Sequence, residues 1–294
     1  MRNFLRGIGF IVVLLLLAYS FETWENNKSV NSPDQAQLQA TLEKAIVWLN
    51  QNRDNILSDP NMNLWHMIQK SAAITGDQRL KSLFSDFNQR YLKNRRNRWR
   101  PLFYPGTWAP VRIEDIAFLP YYNQFIFYAF LCDRELGHVP VIAAQNDPAF
   151  CNQHPLRPAC ATHQLMGIRL LQRSECGDAE QLDDTVRQLQ QRIRRQLQLD
   201  PRVVDVYMQR VLMLIESGAS EQVKPVWIQN LINAQQADGG WSPFEPLVPL
   251  MGGNYFGYGQ KFFSVKQPHS SFHMTAQGVL LFSLLSKSKD TLSH

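Results

Sequence analysis

The strongest constraint on the fold of this 294-residue chain is a set of nine segments with apolar residues at helical spacing. Strand and hairpin signals are scarce, so the pattern predicts an all-α fold. Four segments keep one polar face, near residues 38–50, 80–92, 182–197 and 223–236. Five are apolar nearly all round, near residues 64–74, 118–131, 163–171, 203–215 and 273–285.

The apolar and the half-polar segments alternate along much of the chain. A fold with two concentric rings of helices has inner helices that are buried on both sides and outer helices with one solvent-exposed face. We therefore expect an incomplete α/α toroid. Each apolar segment also carries polar or aromatic residues near its start, which we expect to gather on one rim. The alternative interpretation is that they are ordinary polar helix starts. These starts are Trp65-His66, Tyr121-Tyr122-Asn123, His163-Gln164, Asp205-Val206-Tyr207 and His273 to Gln277.

The N-terminus has the layout of a signal for export. Arg2 and Arg6 precede an apolar run from Ile8 to Ala18, which is shorter than the ~20 residues that a spanning helix needs. We expect a signal peptide at residues 1–20, cut after Ser20, or an uncleaved anchor; a buried N-terminal helix is the alternative. The predicted protein is periplasmic, or anchored in the inner membrane and facing the periplasm. The other predicted regions are a linker at 21–34, a toroid domain at 35–288 and a tail at 289–294.

Four cysteines, at positions 132, 151, 160 and 176, are an even number in a chain predicted to be exported. They favour disulfides. Cys151 and Cys160 would close a small loop, and Cys132 and Cys176 could pair around it, although three pairings are possible. Two Cys-x-x-His steps, Cys151 with His154 and Cys160 with His163, also have the ligand types of a zinc site. We expect disulfides instead, with no metal and no cofactor.

One short segment resembles a known superfamily. Gln235-Gln236-Ala237-Asp238-Gly239-Gly240-Trp241, with Leu231 and Ile232 before it, resembles the QW-type motif of the terpenoid cyclase and prenyltransferase toroids. The resemblance implies an α/α toroid. It does not imply cyclase or prenyltransferase activity, because the aspartate-rich motif and the zinc ligand set are missing. Small exported toroids with one such motif look like bacterial families of which some resemble glycan-processing enzymes.

Three long connections, at 94–116, 138–162 and 238–271, enter apolar helices at their starts. Helix-to-helix connections usually take 2–8 residues, so loops of this length are typical of a binding site. Aromatic side chains with glycines suit sugar rings or a lipid tail, and guanidinium groups suit anions. The alternatives are a loop that packs its own aromatics and a solvated basic helix end. The predicted substrate-binding residues are His66, Trp99, Arg100, Trp108, Trp241, Tyr255 and His269.

Acid–base chemistry would need His, Tyr or carboxyl groups at the same rim. The predicted catalytic residues are His163, Asp205, Tyr207 and His273. They favour a lyase or hydrolase acting on a glycan. A non-catalytic module that binds a glycan or lipid, and a toroid that holds an isoprenoid or lipid tail, are the alternatives.

The charge of the chain bears on its partners. The net charge of +5 is compatible with an anionic glycan or lipid, and the membrane would be a partner through an uncleaved N-terminus. Nucleic acid is not expected as a partner, because the basic run at residues 95–100 is short and an exported protein does not normally meet cellular nucleic acid.

Overall fold

The computed structural model describes residues 2–107, 111–154 and 156–290, and the side chains of residues 12–287 within those ranges. The described chain is mostly helical, as the periodicity predicted, with fourteen α-helices. The first seven are α1 (Arg2–Glu25), α2 (Gln35–Gln51), α3 (Arg53–Ile56), α4 (Met62–Thr75), α5 (Gln78–Phe87), α6 (Arg100–Phe103) and α7 (Tyr121–Leu131). The others are α8 (Arg134–Gly137), α9 (Pro140–Ala143), α10 (Cys160–Arg173), α11 (Ala179–Leu199), α12 (Asp205–Glu216), α13 (Pro225–Asn233) and α14 (Phe272–Asp290).

The expectation of an all-α chain misses one small sheet inside the long connection at 238–271. Three antiparallel strands pair in chain order, β1 (Glu245–Pro249), β2 (Tyr255–Tyr258) and β3 (Phe263–Lys266). Glu245 lies opposite Tyr258 in the register. A Cβ atom on Gly257 would lie 2.0 Å from the carbonyl oxygen of Glu245, so the close pairing of β1 and β2 needs a glycine there.

The longer apolar helices form the centre of the domain. α14 packs between α4 and α12, and α10 packs against both α12 and α7. The helices with a polar face lie outside these: α2 and α5 against α14 and α4, α11 against α10 and α12, and α13 against α12. Residues 205–214 of α12 are all buried, which explains why that segment has no polar stripe.

Local signals set the ends of several helices. Asp34 and Gln37 form a reciprocal capping box at the start of α2, with Asp34 Oδ1 accepting from the Gln37 amide at 2.7 Å. Gly76 ends α4 in the left-handed conformation, at φ 72°. Cys132 does the same for α7, at φ 52°, so this helix ends at Leu131.

The N-terminal helix is held to the body at its C-terminal end. The Nδ2 atoms of Asn26 and Asn27 donate to the carbonyls of Leu197 and Gln198 in the last turn of α11, at 2.6 and 2.7 Å. The helix runs to Glu25, so it extends five residues into the region predicted to be linker. Searched over the described residues, the chain contains no helix with the length and apolar character needed to cross a membrane.

Two disulfides tie the loops around α10. Cys132 at the end of α7 bonds Cys176 after α10, and Cys151 bonds Cys160 at the start of α10. This is the nested arrangement among the three possible pairings, and it confirms the predicted disulfides. Cys151 and Cys160 therefore have no thiolate to offer a metal. Two disulfides are consistent with an oxidising environment outside the cytoplasm.

Candidate functional site

The starts of the central helices enclose one cavity of about 320 Å³, here called the dyad cavity. α4, α7, α10 and α14 contribute residues from their first two turns, and Gln209 of α12 completes the ring. Its polar and aromatic lining residues are Asp59, Asn61, Asn63, Trp99, Tyr122, Asn123, His163, Gln209, His273 and Gln277. Its other lining residues are Pro60, Met62, Leu64, Met67, Leu119 and Met166. Amide, aromatic and imidazole groups therefore face one opening.

His273, which lines the dyad cavity, is paired with Asp205, a buried residue that is not itself part of the lining. His273 Nδ1 lies 2.6 Å from Asp205 Oδ1, and Gln277 Nε2 donates to the same oxygen at 3.0 Å. Since a carboxylate only accepts hydrogen bonds, the pair places the proton of His273 on Nδ1. Nε2 is then the ring nitrogen left for a ligand in the cavity.

The two histidines of the cavity are pushed toward opposite protonation states. Burial acts to lower the pKa of His273, but the hydrogen bond and the charge of Asp205, with a smaller contribution from Asp59, raise it above 6.5. Burial, together with the charge of His273, lowers the pKa of His163 to about 4. The His163 ring stacks on Tyr122 with a centroid distance of 4.1 Å, which fixes its orientation. The arrangement therefore offers one imidazole that is neutral near pH 7 and a second that keeps its proton to a higher pH than an ordinary histidine does.

His66, one of the predicted substrate-binding residues, lines a second cavity of about 180 Å³. The two cavities share Asn63, Met67 and Met166, so they adjoin along α4 and α10. The second cavity is more basic, with Lys70, Arg169 and Arg173 against Glu216. Burial first, and then the charges of Lys70 and Arg173, lowers the pKa of His66 to about 3.

Tyr207 does not join the other predicted catalytic residues. It is fully buried, its hydroxyl donates to Asn26 Oδ1 at 2.7 Å, and Asn230 Nδ2 donates to it at 3.2 Å. The reason is helical geometry, because Asp205 and Tyr207 are two residues apart on α12 and so point to different sides of the helix. The structure thus brings together His163, Asp205 and His273, and it places Tyr207 toward α13 instead.

Trp241, predicted to bind substrate, lies in the core with no exposed surface. Its Nε1 donates to the Leu231 carbonyl at the end of α13 at 2.7 Å, and its ring stacks on Phe282 of α14. A Cβ on Gly278 would lie 2.5 Å from this ring, so α14 needs a glycine where the indole crosses it. In the resembling segment it is Gln235, rather than Gln236, whose amide reaches a neighbouring helix, donating to the Thr41 carbonyl at 2.9 Å.

The other predicted substrate-binding residues are spread over the molecule. Trp99 lines the dyad cavity and packs on Phe127. Arg100 lies outside it, donating to the Leu92 carbonyl at 2.7 Å with its guanidinium over the Tyr104 ring. Tyr255 is on β2, opposite Lys266 in the sheet. His269 lines a separate cavity beside the turn at Asp238, and Trp108 lies outside the described residues.

Several polar residues of the dyad cavity were not among the predicted site residues. They are Asn63, Tyr122, Asn123, Gln209 and Gln277. Gln209 and Gln277 follow Asp205 and His273 by four residues, one helical turn along the same face. A polar residue repeated at i and i+4 in an otherwise apolar helix is the signal that could have found Gln209 and Gln277.

Comparison of the chain with protein families, with curated proteins and with solved structures gave no match in any of the three searches. The interpretation of the site therefore depends on its own residues.

Proposed function

We propose that this protein is an enzyme that performs acid–base chemistry on a carbohydrate in the dyad cavity. The observation that carries the proposal is the His273–Asp205 pair in the same cavity as His163, with the pKa values of the two histidines shifted in opposite directions. Two titratable groups with separated pKa values can serve as acid and base at one pH. A structural histidine pair would not need to line an opening.

The rest of the lining supports a sugar as the substrate. Asn63 Nδ2 donates to Asn123 Oδ1 at 3.0 Å, so these two amides of the lining join α4 to α7. Amides suit hydroxyl groups because they both donate and accept hydrogen bonds, and the faces of Trp99 and Tyr122 suit sugar rings. No lysine or arginine lines this cavity among the described residues, which disfavours a phosphate as the group bound there.

Between the two classes of glycan cleavage, the residues favour elimination over hydrolysis. Glycoside hydrolysis usually employs two carboxyl groups that flank the bond. Of the two carboxylates at this site, Asp205 is occupied by His273 and Gln277, and Asp59 comes from the turn before α4. In the proposed reaction the sugar carries a carboxyl group that acidifies the neighbouring C–H, and neutral His163 accepts that proton. A carbon–carbon double bond forms while the carbon–oxygen bond to the leaving group breaks, and protonated His273 gives its Nε2 proton to the leaving oxygen.

The same proposal includes an incomplete α/α toroid for the fold and a location in the periplasm or at the inner membrane facing it. Inner helices in contact with one another and flanked by outer ones support the toroid. So does the resemblance of Gln235 to Trp241 to the QW-type motif. The two disulfides and the Arg-flanked apolar N-terminus support export.

The test is a product assay with the full chain on neutral and uronic-acid-containing oligosaccharides, read by mass spectrometry. Hydrolysis adds one water to the products, whereas elimination adds none and leaves an unsaturated sugar. We expect unsaturated products, and their loss by more than about a hundredfold in His273→Ala and His163→Ala, since general acids and bases contribute roughly 10²–10⁴-fold. The control is His138→Ala, which removes an exposed histidine.

The outcomes separate the alternatives. If an oligosaccharide binds but no product forms, the protein is a non-catalytic glycan-binding module and the proposed enzyme activity is wrong. Product formation that survives both histidine substitutions would remove the dyad cavity as the site of the chemistry.

A further inference from the structure

A second charged surface, separate from the dyad cavity, lies between the loop before α10 and the C-terminal half of α11. It encloses about 700 Å³ and is lined by five arginines, Arg157, Arg192, Arg195, Arg202 and Arg210. We call it the arginine groove. Asp200 is the one carboxylate among its lining residues in the described chain.

Asp200 is already committed to two of the five arginines. Arg202 Nε lies 2.6 Å from one carboxylate oxygen, and Arg210 Nη1 lies 2.9 Å from the other. For the other three, the described residues provide no ion pair. Arg157 lies over the Tyr121 ring, and Arg192 experiences the charge of Asp147 only at a distance. The groove therefore has an excess of positive charge.

Two guanidinium nitrogens are buried there without a hydrogen-bond partner in the described structure. They are Nη1 of Arg192 and Nε of Arg210, and Arg210 as a whole is only 3% exposed. A buried polar atom without a partner is costly, and a charged one more so. An anion bound in the groove would supply acceptors to such donors and relieve the repulsion among the arginines. Phosphate is well matched, because guanidinium groups bind its oxygens in pairs.

The groove lies next to the exposed apolar helix at the N-terminus. Leu199 lines the groove, and its carbonyl accepts a hydrogen bond from the Tyr19 hydroxyl of α1 at 2.8 Å. In the turns before Tyr19, the side chains of Leu15, Leu16 and Leu17 are 64%, 59% and 61% exposed. A phosphate in the groove would therefore have apolar surface beside it, which suits an amphiphile better than a soluble anion.

We propose that the arginine groove binds the phosphate of an anionic phospholipid whose acyl chains lie along the exposed apolar side chains of α1. The groove is then a lipid site at the membrane surface, and the fixed contacts between α1 and α11 set its position relative to the acyl chains. This proposal does not rest on the dyad cavity or on any activity there.

The test is sedimentation of the full chain with vesicles of phosphatidylglycerol mixed with phosphatidylcholine, against vesicles of phosphatidylcholine alone. The apolar helix α1 contributes to binding of both kinds of vesicle. The quantity to compare is therefore the ratio of binding to the anionic vesicles over binding to the phosphatidylcholine vesicles. We expect Arg192→Gln with Arg195→Gln to reduce that preference about tenfold, as loss of charge-assisted bonds would. Thermal unfolding followed by circular dichroism shows that the variant is folded.

The matched control removes the same charge from the same helix outside the groove. Arg187, which pairs with Asp184, and Arg194 are exposed on α11 and do not line the groove. Arg187→Gln with Arg194→Gln should retain the preference. Equal loss in both double variants, or no preference in the unaltered chain, would overturn the proposal. If inorganic phosphate, at the same concentration as the lipid phosphate, displaces the protein from the anionic vesicles, the groove binds free phosphate and the lipid proposal is wrong.

Discussion

The Nδ1 atom of His273 lies 2.6 Å from Oδ1 of Asp205, where the first turns of α14 and α12 meet. The contact joins residues 68 positions apart, and it depends on two apolar helices that begin at the same end of the domain. Asp205 is buried while His273 is about half exposed, so the carboxylate is held in place and the imidazole faces the cavity. This is the arrangement that orients a histidine for proton transfer.

Replacing Asp205 with Asn should lower the pKa of His273 below its value in the unaltered protein. The substitution keeps the size of the side chain but removes the negative charge and the acceptor-only character that favour the imidazolium. Histidine NMR over a pH series measures the change. Asp59→Asn should lower the same pKa by less, because Asp59 contributes only through its more distant charge. Equal effects of the two substitutions would contradict the role given to the hydrogen bond.

Asn26→Ala should destabilise the protein by about 1–3 kcal/mol, the usual cost of leaving a buried polar partner unsatisfied. Asn26 is 2% exposed; its side-chain oxygen accepts from Tyr207 and Asn230, and its Nδ2 donates to the Leu197 carbonyl. Urea unfolding measures the loss, and Asn50→Ala, at an exposed position, is the control. Because Asn26 also attaches α1 to the body, cleavage by a protease within residues 21–34 should become faster. An unchanged midpoint with unchanged cleavage would refute this.

Much of the helical framework could be predicted from the sequence, because the apolar residues that become buried recur at helical spacing. Segments such as 182–197 and 273–285 were predicted within a few residues of the observed Ala179–Leu199 and Phe272–Asp290. The strands at 245–266 were not predicted, since their glycines and prolines hide the alternation of a strand.

The site was predictable only in outline. Polar residues at the starts of apolar helices pointed to His163, Asp205 and His273, which do converge on one cavity or its wall. Asp205 and Tyr207 are two residues apart on one helix, which already separates their side chains, but which of the two faces the cavity depends on packing between distant segments. The burial of Trp241 follows from its contacts with α13 and α14, which residue type alone does not give.

The two disulfides should differ in their contribution to stability. Cys132 and Cys176 are 44 residues apart, and Cys151 and Cys160 are 9 apart. In the chain-entropy account, a loop of the first length contributes about 4 kcal/mol and one of the second about 2.5 kcal/mol. We therefore expect Cys132→Ser with Cys176→Ser to lower the melting temperature more than Cys151→Ser with Cys160→Ser does. The reverse order in thermal unfolding would show that strain or packing outweighs loop closure.

Acid should destabilise the protein through His66. Its pKa is about 3 in the folded chain and about 6.5 unfolded, so between those values the unfolded state binds the proton and the folded state does not. A group with a depressed folded pKa loses its stabilising contribution as the pH falls, at about 1.4 kcal/mol per pH unit. His163 acts in the same direction. In His66→Gln the decline of the unfolding free energy between about pH 6 and pH 4.5 should be shallower.

The matched control for that measurement is His138→Gln, since His138 is exposed on the surface. It should leave the decline unchanged. If His66→Gln and the unaltered chain lose unfolding free energy at the same rate, His66 is not the buried neutral histidine described above.

The measurement that tests the central claim most directly is the titration of His163 and His273 in the full chain by NMR of their imidazole rings. The signals can be assigned with His163→Gln and His273→Gln variants. The account predicts that His273 titrates above 6.5 and that His163 titrates near 4. Between those two pKa values, the dyad cavity would contain one protonated and one neutral imidazole. Two histidines that titrate together near 6.5, or in the opposite order, would contradict the acid–base site.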